Sequence, residues 1–470
     1  MKAGSVPGIF GTDGVRDRAG SGLLSPDSIV RIVEATVSVL EDRSRFPADL
    51  PGPESRSVVL GRDTRESGRW IAEAVGGAFA RCGYEVHDLG ILPTPGVAWV
   101  GSAWPGTALG VVISASHNPA EWNGIKFTSA TGAKASPELE GAISDAFQGA
   151  RGARAPSGTA APARVHDRSE EAFEAYVSHL VALCRRPERL RGRTIALDPA
   201  NGAAYRVAPE VFRRLGASVV SRASEPDGRN INLDSGAVHP RALAAMAAAS
   251  GAAIAFAFDG DADRMIPISA GGRVLDGDHV LYLAGRSYSR AGRLPLASVV
   301  GTVMANVGLE IALRNEGLSL IRTDVGDRHV YLAMTEGGHP VGGEQSGHVI
   351  FLDDTRTGDG VLAAVRTADL TEGDALDLDG ETSALRKYPQ VLENVRVPEK
   401  RPFESMPEVL ERVALAERAL GSTGRVLLRY SGTEPLARVM LEGPDAARIQ
   451  ALAGEICDAI RRAFGGAVDP

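Results

Sequence analysis

A chain of 470 residues with 44% hydrophobic and 23% charged residues is globular, and it is too long for a single ordinary core. Three or four domains are expected. The formal net charge of −8 excludes a general electrostatic grip on nucleic acid or on an anionic membrane, so an anionic small ligand must be held by a local site.

The N-terminal stretch MKAGSVPGIFGTDG lacks the apolar core of a signal peptide. Three scattered cysteines, Cys82, Cys184 and Cys457, form no C-x-x-C pair and favour a reducing compartment. A soluble, cytoplasmic protein is expected. Residues 57–90, SVVLGRDTRESGRWIAEAVGGAFARCGYEVHDLG, read as a β-branched strand, a polar loop, an amphipathic helix, a glycine and a second strand. The same beat returns in RTIALDPANGAAYRVAPEVFRRLGASVV from 193 and in ASVVGTVMANVGLEIALRNEGLSLIRTD from 297. Gly83, Gly216 and Gly317 fall where each helix should end. A βαβ unit written three times predicts three similar α/β domains.

After the first unit comes VVISASHNPAEWNGIKF, residues 111–127. A parallel strand ending at Ile113 would put Ser114 to Asn118 at its carboxyl end, where ligands bind in open α/β sheets. Ser116 is expected there as an exposed hydroxyl beside His117. The hexapeptide S-A-S-H-N-P also suits a plain turn. The glycines of a serine-hydrolase elbow are missing. Residues 149–164, rich in Ala, Gly, Pro and Arg, predict a surface excursion closing the first domain.

The uncharged run 242–258 is short for a membrane span, mostly alanine, and broken by Ser250 and Gly251. It reads as the end of a helix followed by a buried strand. That strand runs into Asp259, Asp261 and Asp263 within AAIAFAFDGDADR. Three carboxylates at every second position repel one another unless a cation lies between them, and hard oxygens suit Mg²⁺ or Ca²⁺. An EF-hand is excluded, because its sixth position would be Arg264 and its twelfth Ala270. An aspartyl-phosphatase loop stays open. Three carboxylates leave an Mg²⁺ shell incomplete, so a further oxygen, from a phosphate, is expected.

Further on, VGGEQSGHVIF places Glu344, Ser346 and His348 between glycines, which suits sugar hydroxyls or a glycine-rich turn. After residue 384 the pattern is strand, helix, strand, strand, helix, an α+β layout. Within it, LLRYSGTEPLARV offers Ser431, Gly432 and Thr433 flanked by Arg429 and Arg438. This reads as a phosphate nest or as a hairpin turn with two solvent-facing arginines. A nucleophile, a metal, a polyol site and a distant phosphate site, one from each domain, are far more specific together than singly.

With these stretches in view, the chain resembles the α-D-phosphohexomutase superfamily over nearly its whole length. The matching motifs are FGTDGVR, GRDTRESG, PTPGVAWV, ISASHNP, NGIKF, DPANGA, DGRNIN, FDGDADR, GTVMANVGLE, RTDVGDR, GGEQSGHVIF and YSGTEPLARVM. The stretches GGEQSGH, VGDR and GTVMANVGLE resemble the glucosamine branch more than the glucose or mannose mutases. The resemblance implies an α/β, four-domain architecture around a central cleft. Three similar α/β domains, 1–165, 166–268 and 269–383, would carry the phosphoserine, metal-binding and sugar-binding loops. A C-terminal α+β domain, 384–470, would carry the phosphate-binding loop.

Residue by residue, the resemblance implies that Ser116 carries the phosphoryl group. Asp259, Asp261 and Asp263 would bind Mg²⁺, an oxygen of phosphoserine 116 completing the shell. Glu344 and Ser346 would grip sugar hydroxyls, and Arg429, Ser431, Gly432, Thr433 and Arg438 would hold the phosphate not being transferred. Lys126 and His117 are the candidates for proton transfer, and Arg16 and Arg264 would neutralise charge. The implied reaction interconverts glucosamine 6-phosphate and glucosamine 1-phosphate through glucosamine 1,6-bisphosphate. That compound, or glucose 1,6-bisphosphate, would act as activator, and the product would supply UDP-N-acetylglucosamine synthesis for peptidoglycan precursors. A hexosamine phosphate is the expected partner, with no nucleic acid and no membrane, and a homodimer is left open. Three stretches depart from the family pattern: Asp17-Arg18 where glycine is expected, an insertion at 41–57, and TSATGAKAS after NGIKF.

Overall fold

A computed structural model of the chain describes residues 8–11, 13–41, 55–149, 164–373, 375–431 and 434–465. Most of the insertion expected at 41–57, and all but the ends of the excursion expected at 149–164, lie outside these residues. The first sheet unit contains β1 (Val15–Arg18), α1 (Pro26–Glu41), β2 (Ser57–Arg62), α2 (Glu66–Arg81) and β3 (Glu85–Ile91). It continues through α3 (Thr94–Ala103), β4 (Thr107–Ile113), β5 (Trp122–Ser129), α4 (Pro137–Gly149) and β6 (Val165–Asp167). Its strand order is β1-β5-β4-β2-β3-β6, so the first sheet straddles residue 165.

The second unit comprises α5 (Ser169–Leu183), β7 (Thr194–Asp198), α6 (Val207–Arg214), β8 (Ser218–Ser221), α7 (Arg241–Ser250), β9 (Ile254–Phe258) and β10 (Met265–Ser269), ordered β10-β9-β7-β8. The third opens with α8 (Gly277–Arg290), β11 (Ser298–Thr302), α9 (Val307–Asn315) and β12 (Ser319–Thr323). It adds α10 (Asp327–Gly337), β13 (Val341–Gly343), β14 (Val349–Phe351), α11 (Gly360–Leu370) and α12 (Leu378–Glu381), ordered β12-β11-β13-β14. The fourth is antiparallel β15-β17-β16, with β15 (Gln390–Arg396), α13 (Pro407–Leu420), β16 (Arg425–Tyr430), β17 (Leu436–Glu442) and α14 (Ala446–Ala463).

The three α/β units share one layout. Each βαβ pair is parallel, as its period predicts: β2 with β3, β7 with β8, and β11 with β12. A second helix then returns the chain to a strand parallel to the first, namely β4, β9 or β13. That strand turns back antiparallel as β5, β10 or β14. Gly83, Gly216 and Gly317 end the crossover helices at φ of 82°, 88° and 74°, a conformation that costs glycine little. The run 242–258 is α7, closed by Gly251, followed by the fully buried β9. No helix among the described residues is long and apolar enough to cross a membrane. Asp17 caps the turn after β1, accepting hydrogen bonds from the N–H groups of Arg18 (2.8 Å) and Leu23 (3.0 Å), so that departure serves local folding.

One apolar core runs through the first three units, joining Val59 and Val112 to Phe212 and Phe256 and on to Leu281 and Leu313. The fourth unit has its own core around Val439 and Ile456. Its junction with the third is polar instead. Fully buried Glu442 accepts from Asn306 Nδ2 (3.0 Å), the Val307 N–H (3.1 Å) and Arg425 Nε (2.5 Å). Separate cores joined by a satisfied polar contact suit a domain that shifts as a body.

Candidate active site

The four polar loops singled out in the sequence prove to be four hairpin connections, β4–β5, β9–β10, β13–β14 and β16–β17. In the three α/β units the loop lies at the carboxyl end of a strand parallel to the sheet centre, where open sheets present their ligand sites.

Ser116 corrects the sequence expectation. It is buried, only 1% exposed, and not the exposed hydroxyl expected at the end of β4. The reason is tertiary: the β9–β10 loop lies directly on it. At Gly260 an added Cβ would meet the Ser116 carbonyl oxygen at 2.5 Å, so only glycine permits this approach. The Ser116 hydroxyl donates to Asp259 Oδ2 at 2.7 Å, and His117 Nδ1 lies 3.4 Å from it. The backbone here is left-handed, at φ 52°, a conformation uncommon for serine that the surroundings must impose.

Those surroundings explain the odd hexapeptide. Ser114 Oγ accepts the Ser116 N–H (2.9 Å) while donating to Asp63 Oδ2 (2.6 Å). Buried Arg65 donates to the carbonyls of Ser116 (2.9 Å), Asn118 (2.8 Å), Trp122 (3.0 Å) and Pro119. Asn232 Nδ2, from the second unit, donates to the Ser116 carbonyl at 2.9 Å. Sequence reasoning missed Arg65 and Asn232. They stood inside GRDTRESG and DGRNIN, where nothing distinguishes a buried guanidinium from a surface one.

Ligand oxygens of Asp259, Asp261 and Asp263 lie within 4.8 Å of one another. Burial, reinforced by the other two carboxylates, pushes Asp259 well above the usual carboxylate range, and burial with Asp261 pushes Asp263 up as well. Asp261 is also buried, but Lys126 outweighs that and holds it low. Asp261 Oδ1 and Asp263 Oδ1 are buried without a hydrogen-bond partner. Orphaned anionic oxygens converging on one point are costly unless a cation satisfies them, so this donor set fits a hard divalent ion such as Mg²⁺.

Lys126 Nζ sits 2.8 Å from Asp261 Oδ2 and 2.7 Å from Asp13 Oδ2. Burial alone would lower its pKa, but Asp13 and Asp261 outweigh it and hold the ammonium well above the ordinary lysine range. His117 keeps an exposed edge on its loop, while the protein packed against its ring, and then Arg264, hold it below the usual histidine value. Of the two proton-transfer candidates, one is therefore set to hold a proton and the other to be neutral. Arg16 Nη2 lies 2.5 Å from Asp13 Oδ2. The Arg264 N–H donates to Asp259 Oδ1 (3.1 Å), and its Nη1 lies 3.4 Å from His117 Nδ1. Asp13, which gathers Arg16 and Lys126, was quoted within FGTDGVR but not recognised as a hub.

The β13–β14 loop is laced to the β9–β10 loop, the Met265 N–H donating to the Gly347 carbonyl at 3.0 Å. Glu344 Oε1 accepts the Gly326 N–H at 3.0 Å, and Ser346 is exposed. His348, grouped from sequence with Glu344 and Ser346 as suited to sugar hydroxyls, is 3% exposed with neither ring nitrogen hydrogen-bonded. In the fourth unit Arg429 and Arg438 are directly paired across β16 and β17, two like charges side by side, and Arg438 Nη2 also pairs with Glu434 Oε2 at 3.1 Å. Arg438 Nη2 lies 3.3 Å from Ser431 Oγ. Gly432 and Thr433 lie outside the described residues.

The β9–β10 loop is braced from behind by α11, whose Gly360 N–H donates to the Ala262 carbonyl at 2.9 Å. Asp359 caps that helix, accepting the Leu362 N–H (2.9 Å) and the Tyr176 hydroxyl (2.7 Å). Burial pushes its carboxyl up to about 6. A folded-state value raised above the unfolded one contributes stability that is complete below about pH 4 and lost as pH rises through about 6. Asp359→Asn keeps an acceptor for the cap but abolishes the titration. Relative to that variant, the wild type is expected to lose about 2 kcal/mol between about pH 4 and pH 7, read by denaturant unfolding at each pH. A difference that stays flat with pH would rule this titration out.

Comparison with known proteins follows the same division. Residues 7–153 match phosphoglucomutase/phosphomannomutase alpha/beta/alpha domain I, 174–272 domain II, 276–387 domain III, and 392–459 the C-terminal domain. A phosphoglucosamine mutase of Symbiobacterium thermophilum is 44% identical over 97% of this chain and 99% of its own. One from Solibacter usitatus is 43% identical, with the same coverage of 97% and 99%. Among solved structures, a phosphoglucomutase/phosphomannomutase family protein from Burkholderia thailandensis has the same fold, with a TM-score of 0.77 at 23% identity over 98% of each chain. An Aspergillus fumigatus N-acetylphosphoglucosamine mutase, in complex with GlcNAc-6P and magnesium, gives a TM-score of 0.61 at 18% identity over 99% of this chain and 97% of that one.

Proposed function

The chain belongs to the phosphoglucomutase/phosphomannomutase family, and from that premise we propose that it is an isomerase of amino-sugar phosphates. As an intramolecular phosphotransferase it interconverts glucosamine 6-phosphate and glucosamine 1-phosphate, the specificity named for its relatives. The observation that carries the reading is the buried Ser116 hydroxyl, 2.7 Å from Asp259 Oδ2 at the edge of three converging carboxylates.

In this reading Ser116 carries the phosphoryl group in the active enzyme. Asp259, Asp261 and Asp263, with an oxygen of phosphoserine 116, hold Mg²⁺, which when bound neutralises charge on the transferring group. The sugar's free hydroxyl oxygen bonds to phosphorus as the Ser116 O–P bond breaks. We take His117 as the base that accepts the hydroxyl proton and returns it to the serine oxygen, 3.4 Å from its Nδ1. Lys126, Arg16 and Arg264 supply fixed positive charge around the phosphoryl group. The bisphosphate then turns, and its other phosphate returns to Ser116 by the reverse step. Glu344 and Ser346 orient the sugar, while Arg429, Ser431, Gly432, Thr433 and Arg438 hold whichever phosphate is not reacting. Burial of Ser116 supports this scheme, because water reaching phosphoserine would hydrolyse it. A cytoplasmic enzyme feeding UDP-N-acetylglucosamine and peptidoglycan precursor synthesis is consistent with this chemistry.

Initial rates with Mg²⁺ and a trace of glucosamine or glucose 1,6-bisphosphate, on glucosamine, glucose and mannose phosphates, test the proposal. A kcat/KM preference for the glucosamine substrate is expected. Preference for glucose or mannose would keep the transfer mechanism and overturn the amino-sugar assignment. Tight binding without turnover or phosphorylation would make the chain a sugar-phosphate binder.

A further inference from the structure

TSATGAKAS, the stretch that departs from the family pattern, holds one of the chain's five lysines. We propose that this residue, Lys134, is a positioning residue: it latches the first unit to the third and so sets Glu344 against the sugar. The inference rests on the function proposed above.

Thr128 bridges antiparallel to Lys134, and Lys126 lies two residues from Thr128 on β5. Residues two apart on a strand share a face, so both ammoniums leave the same side of the hairpin. They clasp one carboxylate between them. Lys126 Nζ is 2.7 Å from Asp13 Oδ2, and Lys134 Nζ is 2.7 Å from Asp13 Oδ1. Lys134 alone reaches onward, with Asp327 Oδ2 at 3.1 Å and Oδ1 at 3.2 Å. Asp327 opens α10 in the third unit, and the preceding N–H, from Gly326, holds Glu344 Oε1 at 3.0 Å. A continuous line of contacts thus runs from Asp261 through Lys126, Asp13, Lys134 and Asp327 to the backbone that orients Glu344.

Apolar packing does not replace this tie. Between the hairpin and α10 lies a cavity of 750 Å³, with Leu139 and Pro137 on one side and Tyr331 and Leu332 on the other. The other polar tie across it is Arg328, whose Nη2 donates to Glu140 Oε2 (2.8 Å) and the Ala135 carbonyl (2.9 Å). Arg328 anchors the helix but touches neither Asp13 nor the Gly326 turn. Lys134 is the side chain that ties Asp327, beside the Gly326 turn, to Asp13. Losing it would free that turn by a fraction of an ångström, enough to weaken binding in ground and transition states alike.

The test uses the full chain with Mg²⁺ and glucosamine 6-phosphate. Lys134→Met and Asp327→Asn, approached from opposite sides of the cleft, are each expected to raise KM about tenfold with little change in kcat. The double variant should be no worse than Lys134→Met alone, because the contact that Asp327→Asn removes is already lost with Lys134. A purely structural role would not give this split or this non-additivity. KM within about twofold of wild type in both single variants, or effects that multiply in the double, overturns the latch. A wild type inactive on every hexose phosphate overturns the function on which the latch rests.

Discussion

Ser116→Ala is expected to lower kcat for the mutase reaction at least about 10⁴-fold while leaving the protein folded. No other hydroxyl among the described residues donates to a carboxylate of the aspartate trio from the end of β4, so no neighbour inherits the role. The fold should survive because the loop is held by its backbone. The Ser116 N–H goes to Ser114 Oγ, and its carbonyl accepts from Arg65 Nη2 and Asn232 Nδ2, all at 2.9 Å. Alanine retains those three bonds and bears the same left-handed strain as serine. Intact-mass measurement should then find a phosphoryl group on the wild type and none on the variant. Turnover within tenfold of wild type would remove Ser116 as the phosphoryl carrier.

Asp261→Asn is expected to raise the Mg²⁺ concentration for half-maximal rate by about 10–100-fold and to lower kcat with it. Asp261 has two jobs on two oxygens. Its Oδ2 accepts from Thr94 Oγ1 (2.7 Å) and Lys126 Nζ (2.8 Å), while Oδ1 is buried and unpartnered toward the other carboxylates. Asparagine can keep an oxygen on Thr94 and Lys126 only by turning its NH₂ toward the metal position, replacing an anionic ligand with a donor. The opposite orientation sets NH₂ against an ammonium. Neither serves both partners, and Lys126 is left with Asp13 as its remaining counter-charge. A magnesium titration identical to wild type would take Asp261 out of the ligand set.

Much of the architecture was legible because it depends on local period. The β-branched run, amphipathic helix and glycine around 57, 193 and 297 became three parallel βαβ units. The aspartate cluster was legible for a related reason: an all-apolar β9 cannot end in three carboxylates without something to compensate them. Less visible was everything that depends on one unit lying against another. Ser116 looked exposed because β4 alone would expose it; Gly260, 144 positions later, brings the cover. Asp13 stood unassigned within FGTDGVR, yet Lys126, Lys134 and Arg16 all converge on it. His348 gave no sign that its ring would be buried with neither nitrogen hydrogen-bonded, Asp327 Oδ2 lying 3.9 Å from Nε2.

The amino-acid sequence by itself determined the repeated α/β units, the distinct α+β tail and the chemical type of each loop. Backbone period, helix-ending glycines and residue chemistry act over a few neighbours and need no partner to be read. Tertiary structure alone decided which of those loops meet, that Ser116 is sealed under the β9–β10 loop, and which buried charges neutralise one another. Burial and pairing belong to surfaces in contact, and a charge such as Lys134 takes its meaning from Asp13 and Asp327, one from each side of the cleft.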